Sequence, residues 1–242
     1  MKELHISVAA EPIAHLGWLT ITNSLFTTLF VTAILLVLAV WVKRSKRTPT
    51  IIYMLTETFY NFIHGILGKY TDTLFPIVFT FFLLIMIGNW IGLLPIVGPV
   101  GIYEHTEKGE VLIPLFRGPN ADLSTTIAYA LISVGLTQYF GIKALGAKGY
   151  FSKFINIRNP MNFVLGILET IQEFSKIISF SFRLFGNIFA GEVLLVVIAF
   201  LVPLLMPVPF LALEVFVGFI QALVFTVLTA IFIAVAIEPQ HH

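Results

Sequence analysis

The chain is 242 residues long, 58% hydrophobic and only 11% charged, with a formal net charge of +1. Its mean hydropathy of +0.96 is far above the range of water-soluble domains, which makes it one polytopic membrane domain with no segment left for a separate soluble one. No basic–aromatic patch points to nucleic acid, and the absence of cysteine excludes disulfides, thiol catalysis and cysteine-ligated metals.

In chain order, residues 1–23 read as a mature N-terminal segment, because no basic stretch runs into an apolar one with a small-residue cleavage site. The first span is expected over Ser24–Val42, which is long enough for a ~30 Å hydrocarbon core. It ends in Lys43-Arg44-Ser45-Lys46-Arg47, and the positive-inside rule places that end in the cytoplasm and the N-terminus outside. Thr50–Tyr70 differs in kind. Its apolar residues fall at 51, 52, 55, 59, 62, 63, 66 and 67, with Glu57, Asn61 and His64 between them. That is a helical period with a polar face, so a helix lying on the cytoplasmic surface is expected over 50–70.

Phe75–Ile96 is expected to carry the chain outward, into a loop holding Glu104, Glu107 and Glu110. A third span over Asp122–Gly141 is rich in Ser, Thr and Gln. The loop after it has Lys143, Lys148, Lys153 and Arg158 without an acid, and so is cytoplasmic. Residues 162–202 then run about 40 positions without a helix-breaking proline, until Pro203, Pro207 and Pro209 mark a turn into Phe210–Ile237. A helix of that length is ~60 Å long, about twice the hydrocarbon thickness. Glu169, Glu173 and Lys176 near its start favour a steep tilt along a watery groove. The fold class is therefore an all-α polytopic membrane protein: about five crossing helices and one surface amphipathic helix, the last two crossing helices long, tilted and antiparallel, with the C-terminus in the cytoplasm.

Arg183 lies inside the long apolar segment, where a cation costs roughly 2.5–3.5 kcal/mol to insert. A residue held there at that cost points to an ion or substrate path, or else to an ion pair locking two helices. On a helical wheel Glu169, Gln172, Lys176 and Asn187 share one stripe with Arg183, within about 80°. Ala190 and Gly186 lie close to that stripe and would let another helix approach. Glu192 falls on the opposite face. On the final helix Glu214 and Gln221 are seven apart and share a face, with Gly218 between them. Two polar pockets result, one open to each side of the membrane and divided by a fixed positive charge.

The block Ser181-Phe182-Arg183-Leu184-Phe185-Gly186-Asn187-Ile188-Phe189-Ala190-Gly191-Glu192 resembles the RLFGN-x-x-AGE block of subunit a from the membrane sector of F-type ATP synthases. Gln221-Ala222-Leu223-Val224-Phe225 is similar to that family's final-helix motif, and Asn89–Pro95 and Pro119–Asp122 are weaker echoes. The resemblance implies a non-catalytic, proton-translocating stator subunit. It would sit beside a ring of small hairpin rotor subunits and be held by peripheral-stalk subunits in the lipid bilayer. It implies that Arg183 is the essential arginine between two offset half-channels. Glu192, Glu214 and Gln221 would line the outer one, with Asn120 and Asp122 contributing. Asn187 would lie beside Arg183. Glu169 would line the cytoplasmic path, with Glu173, Gln172, Ser175, Ser179 and Lys176 near it. Some members have histidine at the position of Glu192 or of Glu214, whereas this chain has glutamate at both.

No cofactor or metal is expected, and the transported ion is read as H⁺ rather than Na⁺ because no extra oxygen-rich cage is visible. The expected location is a bacterial inner (cell) membrane, with an organellar membrane as the second reading. A secondary ion-coupled transporter and a structural scaffold are the competing functions. The first predicts internal repeats, and none is seen; the second leaves four buried ionisable residues without a task. An intramembrane protease is disfavoured because His5, His15, His64, His105 and His241-His242 are scattered.

Overall fold

The computed structural model describes residues 10–16, 19–45, 49–94, 100–106, 109–152, 154, 160–202 and 205–238. Parts of several sequence expectations lie outside them: most of the N-terminal segment, Lys46, Arg47, Pro95, Ile96, Lys153, Arg158, Pro203 and the terminal histidines. Six α-helices make up most of the fold: α1 (Asn23–Arg44), α2 (Thr50–Leu67), α3 (Thr71–Gly92), α4 (Leu123–Ser152), α5 (Pro160–Leu201) and α6 (Pro207–Ile237). Among the described residues, five stretches are long and apolar enough to cross a membrane, the second of them, Thr50–Gly92, taking in both α2 and α3. The chain is thus an all-α polytopic membrane protein, with two additions. Antiparallel hairpins pair β1 (Pro12–Leu16) with β2 (Leu19–Thr22) and β3 (Gly101–Thr106) with β4 (Gly109–Pro114). The second expected span starts earlier, at Thr71, and its helix stops at Gly92. The apolar stretch of the third ends at Ala147, while its helix α4 extends to Ser152, past a bend at Gly146, whose φ of +74° favours glycine.

Two compact units are formed, one from residues 1–48, 81–126 and 183–223, the other from 49–80, 127–182 and 224–242. In the first, the buried residues of α1 lie in its first half, where it is anchored. Thr22 caps it by accepting from the Leu25 amide at 3.2 Å. Asn23 accepts from the amides of Glu11 (3.2 Å) and Ser24 (2.9 Å), while its own amide donates to the Pro114 carbonyl at 3.4 Å. Ser24 Oγ lies 3.1 Å from Thr125 Oγ1, and Thr27 Oγ1 accepts from the Arg117 amide at 3.1 Å. Asn23, Ser24, Thr27 and Val31 are the buried residues of α1. The rest of its surface is apolar and open, with Leu29, Leu36, Val37 and Trp41 more than half exposed, as a lipid-facing helix requires.

In the second unit, Phe59 and Tyr60 of α2 pack on Phe75 and Phe79 of α3 with ring centroids 5.1–6.3 Å apart. Tyr60 donates to Asp72 Oδ1, and His64 Nδ1 lies 3.1 Å from Thr71 Oγ1. α5 and α6 run antiparallel here, since Phe180 meets Phe225 while the earlier Lys176 meets the later Phe232. Ser133 of α4 bonds Thr229 of α6 at 2.7 Å, both fully buried. Ser133→Ala is expected to cost about 0.6 kcal/mol, the average for hydrogen bonds between membrane helices. A small fall in the melting temperature of the detergent-solubilised complex would report it.

Candidate functional site

The first unit gathers a polar pocket from four segments. α3 supplies Asn89, which is buried because the helix around it is apolar on every other side. Its amide donates to the Gly218 carbonyl of α6 at 2.8 Å. Its oxygen accepts from Asn120 Nδ2 at 2.7 Å, and the same Asn120 amide reaches the Ile85 carbonyl at 3.1 Å. Gly218 is what allows this approach, as a Cβ there would stand 3.0 Å from Asn89 Cβ. Trp90 fixes the neighbouring turn by donating to the Val215 carbonyl at 3.0 Å. The Asn120 carbonyl oxygen is buried with no hydrogen-bond partner among the described residues, so an acceptor is left over for a water molecule or a mobile proton carrier.

Two glutamates of this unit, Glu192 and Glu214, rest on glycine. The Glu192 carboxylate sits over Gly92 at the end of α3 and Gly118 in the segment before α4; a Cβ on Gly92 would stand 3.4 Å from its Oε1. The Glu214 carboxyl of α6 lies against Gly191 of α5, in the space a Cβ would take. Arg117, buried beside Gly118, and Glu214 both act electrostatically on Glu192. Arg117 also reaches the Ala121 carbonyl at 3.4 Å through Nη2. A cation, two carboxylates and two amides thus converge among apolar helices, where backbone glycine surface in place of side chains makes room for the carboxylates.

The other sequence candidates of this unit take distinct places. Asp122 spends its oxygens at the start of α4, accepting from the Ser124 amide at 3.1 Å and from Thr125 Oγ1 at 3.5 Å, as an N-cap does. Gln221 is partly buried on α6. On α5, Arg183, Asn187, Ala190, Leu194 and Val197 form an exposed stripe, while Leu184, Ile188 and Gly191 are buried. The exposed face therefore carries the arginine, and Glu192 points the other way.

The second unit holds Glu169, Glu173 and Lys176. Lys176 donates to Glu173 Oε1 at 2.7 Å, and Gln138 donates to Glu173 Oε2 at 2.8 Å. Gln138 in turn accepts from the Tyr150 hydroxyl at 2.6 Å. Burial, with Glu173 and Glu169 adding their negative charge, pushes the Tyr150 phenol up to about 12, so it stays a donor at every working pH. Gln172, Ser175 and Ser179 lie exposed along α5.

Sequence reasoning did not pick out Arg117, Gln138 or Tyr150, and it met Asn89 only within a motif echo. A usable signal for Arg117 was a cation held immediately before a Gly-Pro-Asn-Ala-Asp turn that opens a span.

The profile of the family described as ATP synthase A chain matches residues 25–234. ATP synthase subunit a of Moorella thermoacetica (strain ATCC 39073 / JCM 9320) is 33% identical over 230 residues, which cover 92% of this chain and 94% of that protein. The chain therefore belongs to the ATP synthase subunit a family and is an integral, membrane-sector subunit of an F-type ATP synthase, not itself its catalytic part.

Proposed function

We propose that this subunit is the stator that feeds protons to a rotor ring of small hairpin subunits through two offset half-channels, with Arg183 as the essential arginine between them. The observation that carries this reading is the pair of acid clusters. One, with Glu192 and Glu214, is sunk among glycines and amides. The other, with Glu169, stands beside an ion pair. Each is a place where a proton can rest within apolar helices, and such intramembrane acids mark proton relays.

In this reading Glu192, Glu214, Gln221 and Asn120 line the outer half-channel, and Asp122 fixes the turn that presents Asn120. Glu169 belongs to the cytoplasmic half-channel, with Glu173 and Lys176 beside it. The exposed stripe of Arg183 and Asn187 faces the ring, where the guanidinium meets the deprotonated ring carboxylate and its small neighbour Ala190 permits close approach. H⁺ is the transported ion, α5 and α6 are tilted in the bilayer, and peripheral-stalk subunits hold the chain against rotation. The membrane is a bacterial cell membrane, with the N-terminus outside, the C-terminus in the cytoplasm and residues 1–242 forming a single membrane domain.

The test is Glu192→Gln in the assembled complex reconstituted in vesicles. ATP-driven acidification is expected to fall by about tenfold or more, which corresponds to ~1.4 kcal/mol on the limiting step, with assembly and ATP hydrolysis by the detached catalytic part retained. Unchanged acidification would remove Glu192 from the path.

A further inference from the structure

Glu169 and Glu173 lie four residues apart, one turn of α5, and would ordinarily be equivalent. Their surroundings are not. Both oxygens of Glu173 are engaged, one by Lys176 at 2.7 Å and one by Gln138 at 2.8 Å. Lys176 is itself held from the other side, 4.5 Å from the Phe232 ring centroid. Gln138 uses both ends of its amide, since its oxygen takes the Tyr150 hydroxyl proton at 2.6 Å. A carboxylate can only accept and a guanidinium or ammonium only donate, so the chain has one polarity: Tyr150 to Gln138 to Glu173, met by Lys176.

Tyr150 is fully buried, and its ring fills the space beside Gly141 that a Cβ would occupy. It gets there because α4 bends at Gly146. Glu169 is treated differently: its Oε2 is shut off from solvent yet has no hydrogen-bond partner among the described residues. A buried carboxylate oxygen without a donor is the natural seat for a proton or a transient water.

We propose that Gln138 and Tyr150 are positioning residues of the cytoplasmic proton path: by fastening Glu173 to its ion pair, they leave Glu169 as the carboxylate of the two that takes up and releases the proton, at Oε2. This rests on the reading that places Glu169 on that path. Glu173 and Lys176 are then parts of a latch rather than proton carriers. Among the described residues, the titratable and charged groups of this site are Glu173 with its partner Lys176 from α5 and Tyr150 from α4, on which the Glu169 charge acts; α6 contributes the uncharged Phe232 ring, against Lys176.

Breaking the chain at Tyr150 or Gln138 frees Glu173 to turn its charge on its neighbour one turn away, and a like charge favours the protonated form of that neighbour. The experiment follows ATP-driven pumping by the reconstituted complex as a function of pH on the ATP side. Tyr150→Phe, which keeps the ring on Gly141, and Gln138→Met, which keeps the side-chain length, are both expected to move the profile to higher pH by about 0.3 unit or more. In a Glu173→Gln background neither is expected to move it further, because the charge that acts on Glu169 is gone. A profile unmoved in both single variants would overturn the proposal, as would an equal displacement with and without the Glu173 charge. Glu169→Gln separates the two levels: its pumping is expected to fall about tenfold, and full pumping there would overturn the path itself rather than the latch.

Discussion

Arg183→Ala is expected to abolish ATP-driven proton pumping by the assembled complex. The residue stands exposed on α5, within a stretch long and apolar enough to span the membrane, so its charge is open to a group presented from outside the chain. An ion pair at ~4 Å in an effective dielectric of ~20 is worth about 4 kcal/mol, roughly three orders of magnitude in an equilibrium constant. On the proposed stator reading, removing it would take away both the attraction for a deprotonated ring carboxylate and the barrier to direct proton passage between half-channels. Arg183→Lys keeps the charge but loses the planar fork and the reach of the guanidinium, and is expected to retain a small fraction of the pumping. The measurement is acidification of vesicles on adding ATP, with assembly checked by co-purification of the ring. Normal pumping in the alanine variant would return Arg183 to the status of a structural charge.

Gly191→Ala separates stability from transport. In a helix interior alanine is favoured over glycine by about 1 kcal/mol, so α5 should gain or hold its stability. Yet the new Cβ would occupy the place where the Glu214 carboxyl now lies. That carboxyl is the end of a flexible side chain and can swing aside at little cost to the fold. Its displacement removes one of the two acids from the outer pocket, and pumping is expected to fall about tenfold or more while the melting temperature of the complex does not drop. Gly118→Ala should do the same to Glu192, whose Oε1 lies in the equivalent position. Unchanged pumping in both variants would mean that the position of these carboxylates does not matter for transport.

The helices and the opposition of Arg183 to Glu192 were legible in the sequence because both follow from local regularities. Hydropathy and length mark α1, α5 and α6, and 100° per residue places Glu192 opposite Arg183 whatever surrounds the helix. The partners were not legible, because they come from distant segments. Asn89 and Asn120 are 31 residues apart, and Gln138 and Glu173 are 35 apart; no periodicity links them. The position of Tyr150 depends on the backbone bend at Gly146, one of three glycines between 141 and 149 that could each have supplied it. The β3–β4 hairpin pairs Gly101–Thr106 with Gly109–Pro114, but the three acids of this stretch read more simply as a loop. Local chemistry thus names the acids, and tertiary contact decides which oxygen of each is spoken for.

The way α1 is held divides its sequence into two kinds of position. Asn23, Ser24 and Thr27 make specific bonds at one end of the helix, whereas Leu29, Leu36, Val37 and Trp41 face outward. Exhaustive substitution along this helix should therefore give a sharply graded map. Near its beginning even close replacements are expected to be rejected, and further along almost any apolar residue is expected to serve, so that selection would hold the first turn and leave most of the remaining length free to drift.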